Sequence, residues 1–186
     1  MSASTGLDIR RYDAAEAQEV RHTVSAIHCA AYTQRIKSGD PFSTDDAFMS
    51  RFDSYTAIAG FDLIVACLDG QPVGQAWGWP LASDTEWWDG LTTEPEPDFT
   101  AENGTRTFAF SELMVDRAYT GRHIARALHG ELLRDRSEAR ATLLVNPANE
   151  AAYGIYRRWG WRKAASLRPT WPDAPLFDVL ILPLPA

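Results

Sequence analysis

The sequence predicts a single α/β domain, and three observations carry that expectation. Apolar and β-branched runs at 61–68, 107–115 and 141–146 alternate with segments whose apolar residues recur at helical spacing. Asp69-Gly70, between two strand-like runs, is a tight hairpin signal. The 186 residues are 45% apolar and 23% charged, which is ample for one core and excludes wholesale disorder.

In order along the chain, Leu7 to Arg11 reads as an opening strand. Asp13 with Glu16 resembles a capping box, and Val20, Val24, Ile27 and Ala31 predict one helix from about Ala14 to about Arg35. Gly39-Asp40-Pro41 breaks the chain. Ser43 or Thr44 then caps a second helix that sends Phe48 and Phe52 to the core. Residues 61–68 are a strand, and Val73 to Ala82 is its antiparallel partner. A third strand spans 107–115, followed by a helix with Ile124, Ala127, Leu128 and Leu132 on one face. The short apolar strand 141–146, a helix from Asn149 to Trp159, and strands at Trp161 to Leu167 and Phe177 to Leu182 complete the order. Asp84 to Asn103 is an acidic insert with Trp87, Trp88 and Phe99 and without Lys or Arg, of a length that predicts a functional lid or a mobile loop. No internal repeat or second-domain boundary is visible.

The net charge of −7 argues against nucleic acid as a partner, because phosphate binding needs clustered Lys and Arg. No apolar run approaches the roughly 20 residues that span a bilayer, so no membrane partner is expected. The N-terminus lacks an apolar signal core. Cys29 and Cys67 lie in apolar stretches, which predicts buried free thiols in a reducing cytoplasm. His22 and His28, like His123 and His129, are six apart; neither spacing puts two ligands on one helix face, and no metal site is expected. His28 beside Cys29 reads as a helix-packing pair, since adjacent helical residues point apart.

The chemistry concentrates between Phe108 and Trp161. A strand running through a glycine turn at Gly121 into a helix is a backbone device for holding an anion, because the first helical N–H groups have no internal partners. Asn149 and Tyr156, seven residues apart, share a helix face. Within Ser111-Glu112-Leu113-Met114-Val115, Glu112 shares a strand face with Phe110 and Met114 unless a bulge intervenes. Arg117, Arg122 and Arg126 flank the turn, and Arg122 is the one expected to reach a phosphate.

From about Thr107 to Trp161 the chain resembles the cofactor-binding half of the GNAT superfamily of acetyl-CoA-dependent N-acetyltransferases, and the preceding strand, two helices and hairpin are similar to that family's N-terminal half. The pattern Asn-x-x-Ala-x-x-x-Tyr-x-x-x-Gly-Phe is followed by Asn149, Ala152, Tyr156 and Gly160, with Trp161 in place of Phe. The Gln/Arg-x-x-Gly-x-Gly/Ala loop falls on Thr120-Gly121-Arg122-His123-Ile124-Ala125, where only Ala125 meets a specified position. Thr120 replaces Gln or Arg and His123 replaces glycine, although His tolerates positive φ better than most residues.

The resemblance implies a mixed, mostly antiparallel central sheet flanked by helices and splayed between strands 107–115 and 141–146. It implies one domain over 1–186, with the cofactor half at about 105–168 and the insert at about 84–103. Acetyl-CoA is the implied co-substrate, held by Leu113, Met114 and Val115 in the manner of an added strand, by the loop Thr120 to Ala125, and by Asn149. Tyr156 is the implied proton donor to the leaving thiolate and Glu112 the base for the amine. Trp87 and Trp88 are the candidates for covering the acceptor. The expected partner is an amine-bearing small molecule or peptide, and a homodimer is admitted. The alternatives are a catalytically weak acyl-CoA-binding or regulatory domain, and a protein N-terminal or lysine acetyltransferase.

Overall fold

The computed structural model describes residues 6–93 and 95–185. Its strands are β1 (Leu7–Asp13), β2 (Asp62–Leu68), β3 (Gln71–Pro80), β4 (Thr107–Val115), β5 (Arg140–Val145), β6 (Arg162–Leu167) and β7 (Phe177–Pro183). They lie in the order β1-β2-β3-β4-β5-β7-β6. β4 and β5 are parallel, while β1–β2, β2–β3, β5–β7 and β6–β7 are antiparallel. The sheet is therefore mixed and mostly antiparallel, as expected. The parallel pairing spans only Thr107↔Arg140 to Ala109↔Thr142, which gives the expected splay. Packing divides the chain into two compact units, 1–79 with 111–135 and 80–110 with 136–186.

In the first unit, α1 (Ala14–Glu19) opens on the capping box formed by Asp13 and Glu16. The single helix expected to Arg35 is instead three: α1, α2 (Arg21–Ala31) and α3 (Thr33–Lys37). At the second break the Thr33 hydroxyl donates to the carbonyls of Cys29 (2.6 Å) and Ala30 (3.2 Å). It thereby takes the acceptor that the next helical N–H would use. Nothing in the sequence around Val20 marks the first break. A 3-10 turn, Pro41–Ser43, is capped by Asp40, and Thr44 caps α4 (Asp45–Thr56) by accepting from Ala47 N–H at 3.3 Å. Phe48 and Phe52 project from α4 onto the buried Trp77 of β3, with centroids at 5.6 and 5.4 Å. The β2–β3 turn has Asp69 and Gly70 both at positive φ, the conformation the Asp-Gly pair predicted. α5 (Ile124–Leu132) buries Ile124, Leu128 and Leu132.

In the second unit, α6 (Glu150–Arg158) ends on Gly160 at φ +95. Gly160 N–H donates to Arg157 O and Trp161 N–H to Tyr156 O, both at 3.1 Å, which is a Schellman cap. The Gly-Trp end of the motif is thus a helix stop that delivers Trp161 to the core, edge-on to Phe110. The 84–103 insert has no helix among its described residues but is tied down. Thr92 N–H donates to Ser166 O at 2.9 Å, Arg168 N–H to Gly90 O at 2.8 Å, and Leu91 bridges Leu167. It lies along β6, covering a sheet edge that would otherwise expose its backbone. Arg106, just outside the cation-free insert, and Arg140 of β5 donate to its carbonyls at Asp98, Phe99 and Ala101.

Gly160→Ala should lower unfolding stability by about 1 kcal/mol, because a Cβ at that left-handed position is sterically penalised. Urea denaturation of the two proteins measures it. Equal midpoints would remove the cap from the account.

Candidate active site

The expected site residues fall in both units. Glu112, Leu113 to Val115 and the 120–125 loop belong to the first; Asn149, Tyr156, Trp87 and Trp88 belong to the second.

β4 is not a regular strand. Val73 O accepts from Asp116 N–H at 2.8 Å, and Leu81 N–H donates to Thr107 O at 2.8 Å. Between these bonds β3 advances eight residues and β4 nine, so β4 carries one extra residue, a β-bulge. Met114 stays on the helix-covered face: the buried Gln75 amide donates to its sulfur at 3.2 Å and to Val24 O of α2 at 3.0 Å.

Glu112 lies in the stretch where the extra residue is accommodated. Its side chain is half-buried by surface, yet protein crowds its carboxyl from nearly every direction. Burial pushes the carboxyl up to about 7, against the pull of the Leu113 N–H and of the Arg51 and Arg35 charges. Those two arginines sit on α4 and α3. Tyr55, one turn beyond Arg51, stacks on Trp79 with centroids 4.8 Å apart. Its hydroxyl is raised by burial, with Arg51 opposing and Glu112 adding to the shift. Sequence reasoning missed Arg35, Arg51 and Tyr55. The available signal was the i, i+4 spacing of Arg51 and Tyr55 beside the Phe48–Phe52 core stripe.

The turn before α5 takes the backbone conformation an anion cradle needs. Gly121 has φ +79, and no atom lies within 4 Å of where a Cβ would stand. His123 also adopts the left-handed region (φ 61, ψ 10) and begins α5 with no side-chain cap. The residue replacing the usual glycine therefore occupies glycine's backbone region, with its side chain exposed. Residues Thr120 to His123 are all exposed, Arg122 lies over the Tyr119 ring at 5.3 Å, and the first N–H groups of α5 lack the side-chain acceptor that α1, α4 and α6 possess. This arrangement fits a pyrophosphate.

Asn149 is the N-cap of α6, its Oδ1 accepting from Ala152 N–H at 3.2 Å. Tyr156 is half-buried and edge-on to both Trp159 (6.0 Å) and Trp161 (6.1 Å). A turn away, Tyr153 donates to Asp178 Oδ2 at 2.9 Å. Burial works to raise the Asp178 carboxyl, but Lys163, Tyr153 and Ser166 together hold it below the usual range. Trp88 is a buried anchor whose indole N–H donates to Glu102 Oε1 at 3.2 Å, and Trp87 is half-buried. The Glu102 carboxylate is itself buried against Arg140 (3.2 Å) and the Thr107 hydroxyl (2.8 Å), so this acid of the insert is structural.

His28 is buried, stacks on Phe48 at 3.8 Å, and meets Asp45 Oδ1 at 3.2 Å. Burial lowers its pKa against the pull of Asp45. Although His28 and Cys29 are helical neighbours, their ligating atoms and an Asp45 oxygen all lie within 4.8 Å. The Ser25 hydroxyl also donates to Asp45, at 2.7 Å, so the group reads as a hydrogen-bonded link between α2 and α4. Nearby, a cleft of about 680 Å³ is lined by Gln18, Arg21, Ser25, Asp45, Met49 and Asp53, away from Glu112. Both cysteines are free thiols and half-buried, more accessible than their apolar surroundings predicted. Among the described residues no helix is long and apolar enough to cross a membrane.

The family described as acetyltransferase (GNAT) matches residues 30–161. Among solved structures, the fold resembles a protein assigned to the GNAT family from Desulfovibrio desulfuricans (15% identity, 96% of this chain and 99% of that one, TM-score 0.66). It also resembles the ribosomal-protein-S18-alanine N-acetyltransferase of Escherichia coli (15%, 97% and 96%, 0.64). A third is the PaiA N-acetyltransferase of Thermoplasma acidophilum, solved with coenzyme A (10%, 96% and 99%, 0.58). No curated protein matches the chain.

A carboxyl raised from 4.5 to about 7 binds its proton more tightly in the folded than in the unfolded chain. Stability is therefore lost as pH rises from about 4.5 through 7, by up to about 3 kcal/mol. Glu112→Gln should gain stability over the parent at pH 8 and not at pH 4. Scanning calorimetry at both values tests this, and an unchanged gap between the two proteins would contradict the buried-carboxyl account.

Proposed function

This chain belongs to the acetyltransferase (GNAT) family, and from that premise we propose that it transfers an acetyl group from acetyl-CoA to a primary amine by direct attack in a ternary complex. The feature that supports the reading is the Glu112 carboxyl on β4, crowded by protein and pushed up by burial to about 7. An alkylammonium has a pKa of about 10 and must lose a proton before attack. A base that is ionised at neutral pH yet poised near it can take that proton, directly or through water. A carboxylate at the ordinary value would be a weaker acceptor.

Glu112 takes the ammonium proton; the freed amine nitrogen then bonds to the thioester carbon, and the second proton it sheds in forming the amide balances the one that reaches the leaving sulfur. A backbone N–H near Val115 meets the oxyanion, an interaction that elsewhere is worth about 3 kcal/mol. The carbon–sulfur bond breaks, the thiolate leaves, and Tyr156 supplies its proton, a role carried by the family resemblance. Leu113 to Val115 receive the pantetheine as an added strand. The left-handed Gly121 and His123 turn and the uncapped start of α5 support pyrophosphate binding by the Thr120 to Ala125 loop. Asn149 assists on α6 with its amide N–H groups, its oxygen being engaged in the cap.

Titration calorimetry with acetyl-CoA, followed by release of free CoA across an amine panel, tests the reading. Saturable binding with amine-dependent thiol release is expected. Binding without release would favour a regulatory acyl-CoA-binding domain instead. Tyr156→Phe should reduce kcat tenfold or more with the thermal midpoint retained, because phenylalanine keeps both edge contacts to tryptophan. An unchanged kcat would remove Tyr156 from proton transfer.

A further inference from the structure

The group that links α2 to α4 is also a set of metal-binding atoms. His28 and Cys29 come from the C-terminal part of α2, and Asp45 is the first residue of α4. One donor atom from each lies within 4.8 Å of the other two. The set is assembled across two helices, so no spacing within one helix announces it. His28 Nδ1 stands 3.2 Å from Asp45 Oδ1. Two donors on one tetrahedral zinc ion, each about 2.1 Å from it, are separated by about 3.4 Å. That pair already has the spacing of ligands, and the half-buried Cys29 sulfur joins them by a shift on the order of 1 Å. Two of the three are held by their surroundings. The buried His28 ring stacks on Phe48 (3.8 Å between centroids) and on Tyr32 (5.3 Å). The Ser25 hydroxyl donates to Asp45 Oδ2 at 2.7 Å, which orients the carboxylate with Oδ1 toward the imidazole.

The donor chemistry selects the ion. A thiolate, a neutral imidazole and a carboxylate carry two negative charges together, which one divalent cation cancels. The neutral whole suits a partly buried place, where an uncompensated charge is costly. Thiolate and imidazole favour zinc, whereas magnesium and calcium take oxygen ligands. The site also has an entrance. Ser25 and Asp45 line the cleft of about 680 Å³, with Glu19, Asp46 and Asp53 outnumbering Arg21 and His22 on its walls. An excess of carboxylates there draws a cation in, and solvent water fills the fourth position that three protein ligands leave open. We propose that His28, Cys29 and Asp45 bind a zinc ion that ties α4 to α2. On binding, the Cys29 thiol releases its proton to solvent and its sulfur bonds to the ion, with no change of oxidation state. The ion then replaces the hydrogen bond between His28 and Asp45 with bonds to the metal.

Cobalt(II), which accepts zinc's ligands and is coloured, is titrated into reduced, tag-free full-length protein after dialysis against a chelator. One equivalent should bind saturably. It should show sulfur-to-cobalt charge-transfer absorption in the near ultraviolet together with the visible bands of a tetrahedral ion, and zinc should bleach both. Cys29→Ser should abolish the charge-transfer band and weaken zinc at least tenfold. Cys67→Ser, at the other cysteine of the chain, should leave band and affinity unchanged. Asp45→Asn should weaken zinc at least tenfold while keeping the sulfur band. These variants leave the buried His28 stack in place, and circular dichroism confirms that they fold. Saturating zinc should raise the thermal midpoint of the parent and leave that of Cys29→Ser unmoved. Absence of saturable uptake, a spectrum without the sulfur band, a band that survives Cys29→Ser or vanishes in Cys67→Ser, or a parent midpoint indifferent to zinc overturns the site.

Discussion

The site depends on one electrostatic constraint: a carboxyl group on a bulged strand, crowded by protein and answered by charges that only partly compensate. Glu112 is raised by loss of water and lowered by a backbone N–H and two guanidinium charges, and loss of water wins. The extra residue in β4 lies in the stretch that carries the carboxyl, while Gln75 fixes Met114 on the helical face. The aromatic packing of Phe48, Phe52 and Tyr55 against Trp77 and Trp79 holds α4, and with it Arg51, over that face. A folded carboxyl near 7 costs stability at neutral pH, and cost of this kind is characteristic of functional groups rather than of structural ion pairs. The Arg21–Asp53 pair is the contrast: there the hydrogen bond from Arg21 outweighs burial, and Asp53 is held below its usual value.

The second constraint is backbone. Two left-handed residues, Gly121 and His123, turn the chain into α5 without a side-chain cap. A non-glycine residue in that region costs about 1–2 kcal/mol, which the fold sustains on the buried face of Ile124, Leu128 and Leu132. His123 thus takes, at φ 61, the left-handed backbone region that glycine adopts most readily.

Much of this was legible in the sequence, and the exceptions have physical reasons. β4, the Asp13–Glu16 box and the Asp69-Gly70 turn follow from strong local signals, and the structure reproduces them. Asn149 to Trp161 was legible for a mixed reason: Asn149 and Gly160 are helix caps as well as motif residues. The long first helix was misread because apolar periodicity continues across Tyr32, whereas the break comes from a hydroxyl taking a carbonyl. Trp88 looked available in a loop of acids, but its indole is committed to Glu102, a tertiary pairing with no local signature. Arg51 carried no motif at all.

The pH dependence of kcat/KM for acetyl transfer, measured with one accepted amine in the parent and in Glu112→Gln, tests the central claim most directly. Burial raises the Tyr55 hydroxyl, which Glu112 also influences, above an ordinary value already far from neutrality. The account predicts a limb in the parent that rises with an apparent pKa near 7 and is missing from the far slower variant. A parent profile without that limb, or a variant that preserves it, would contradict Glu112 as the base.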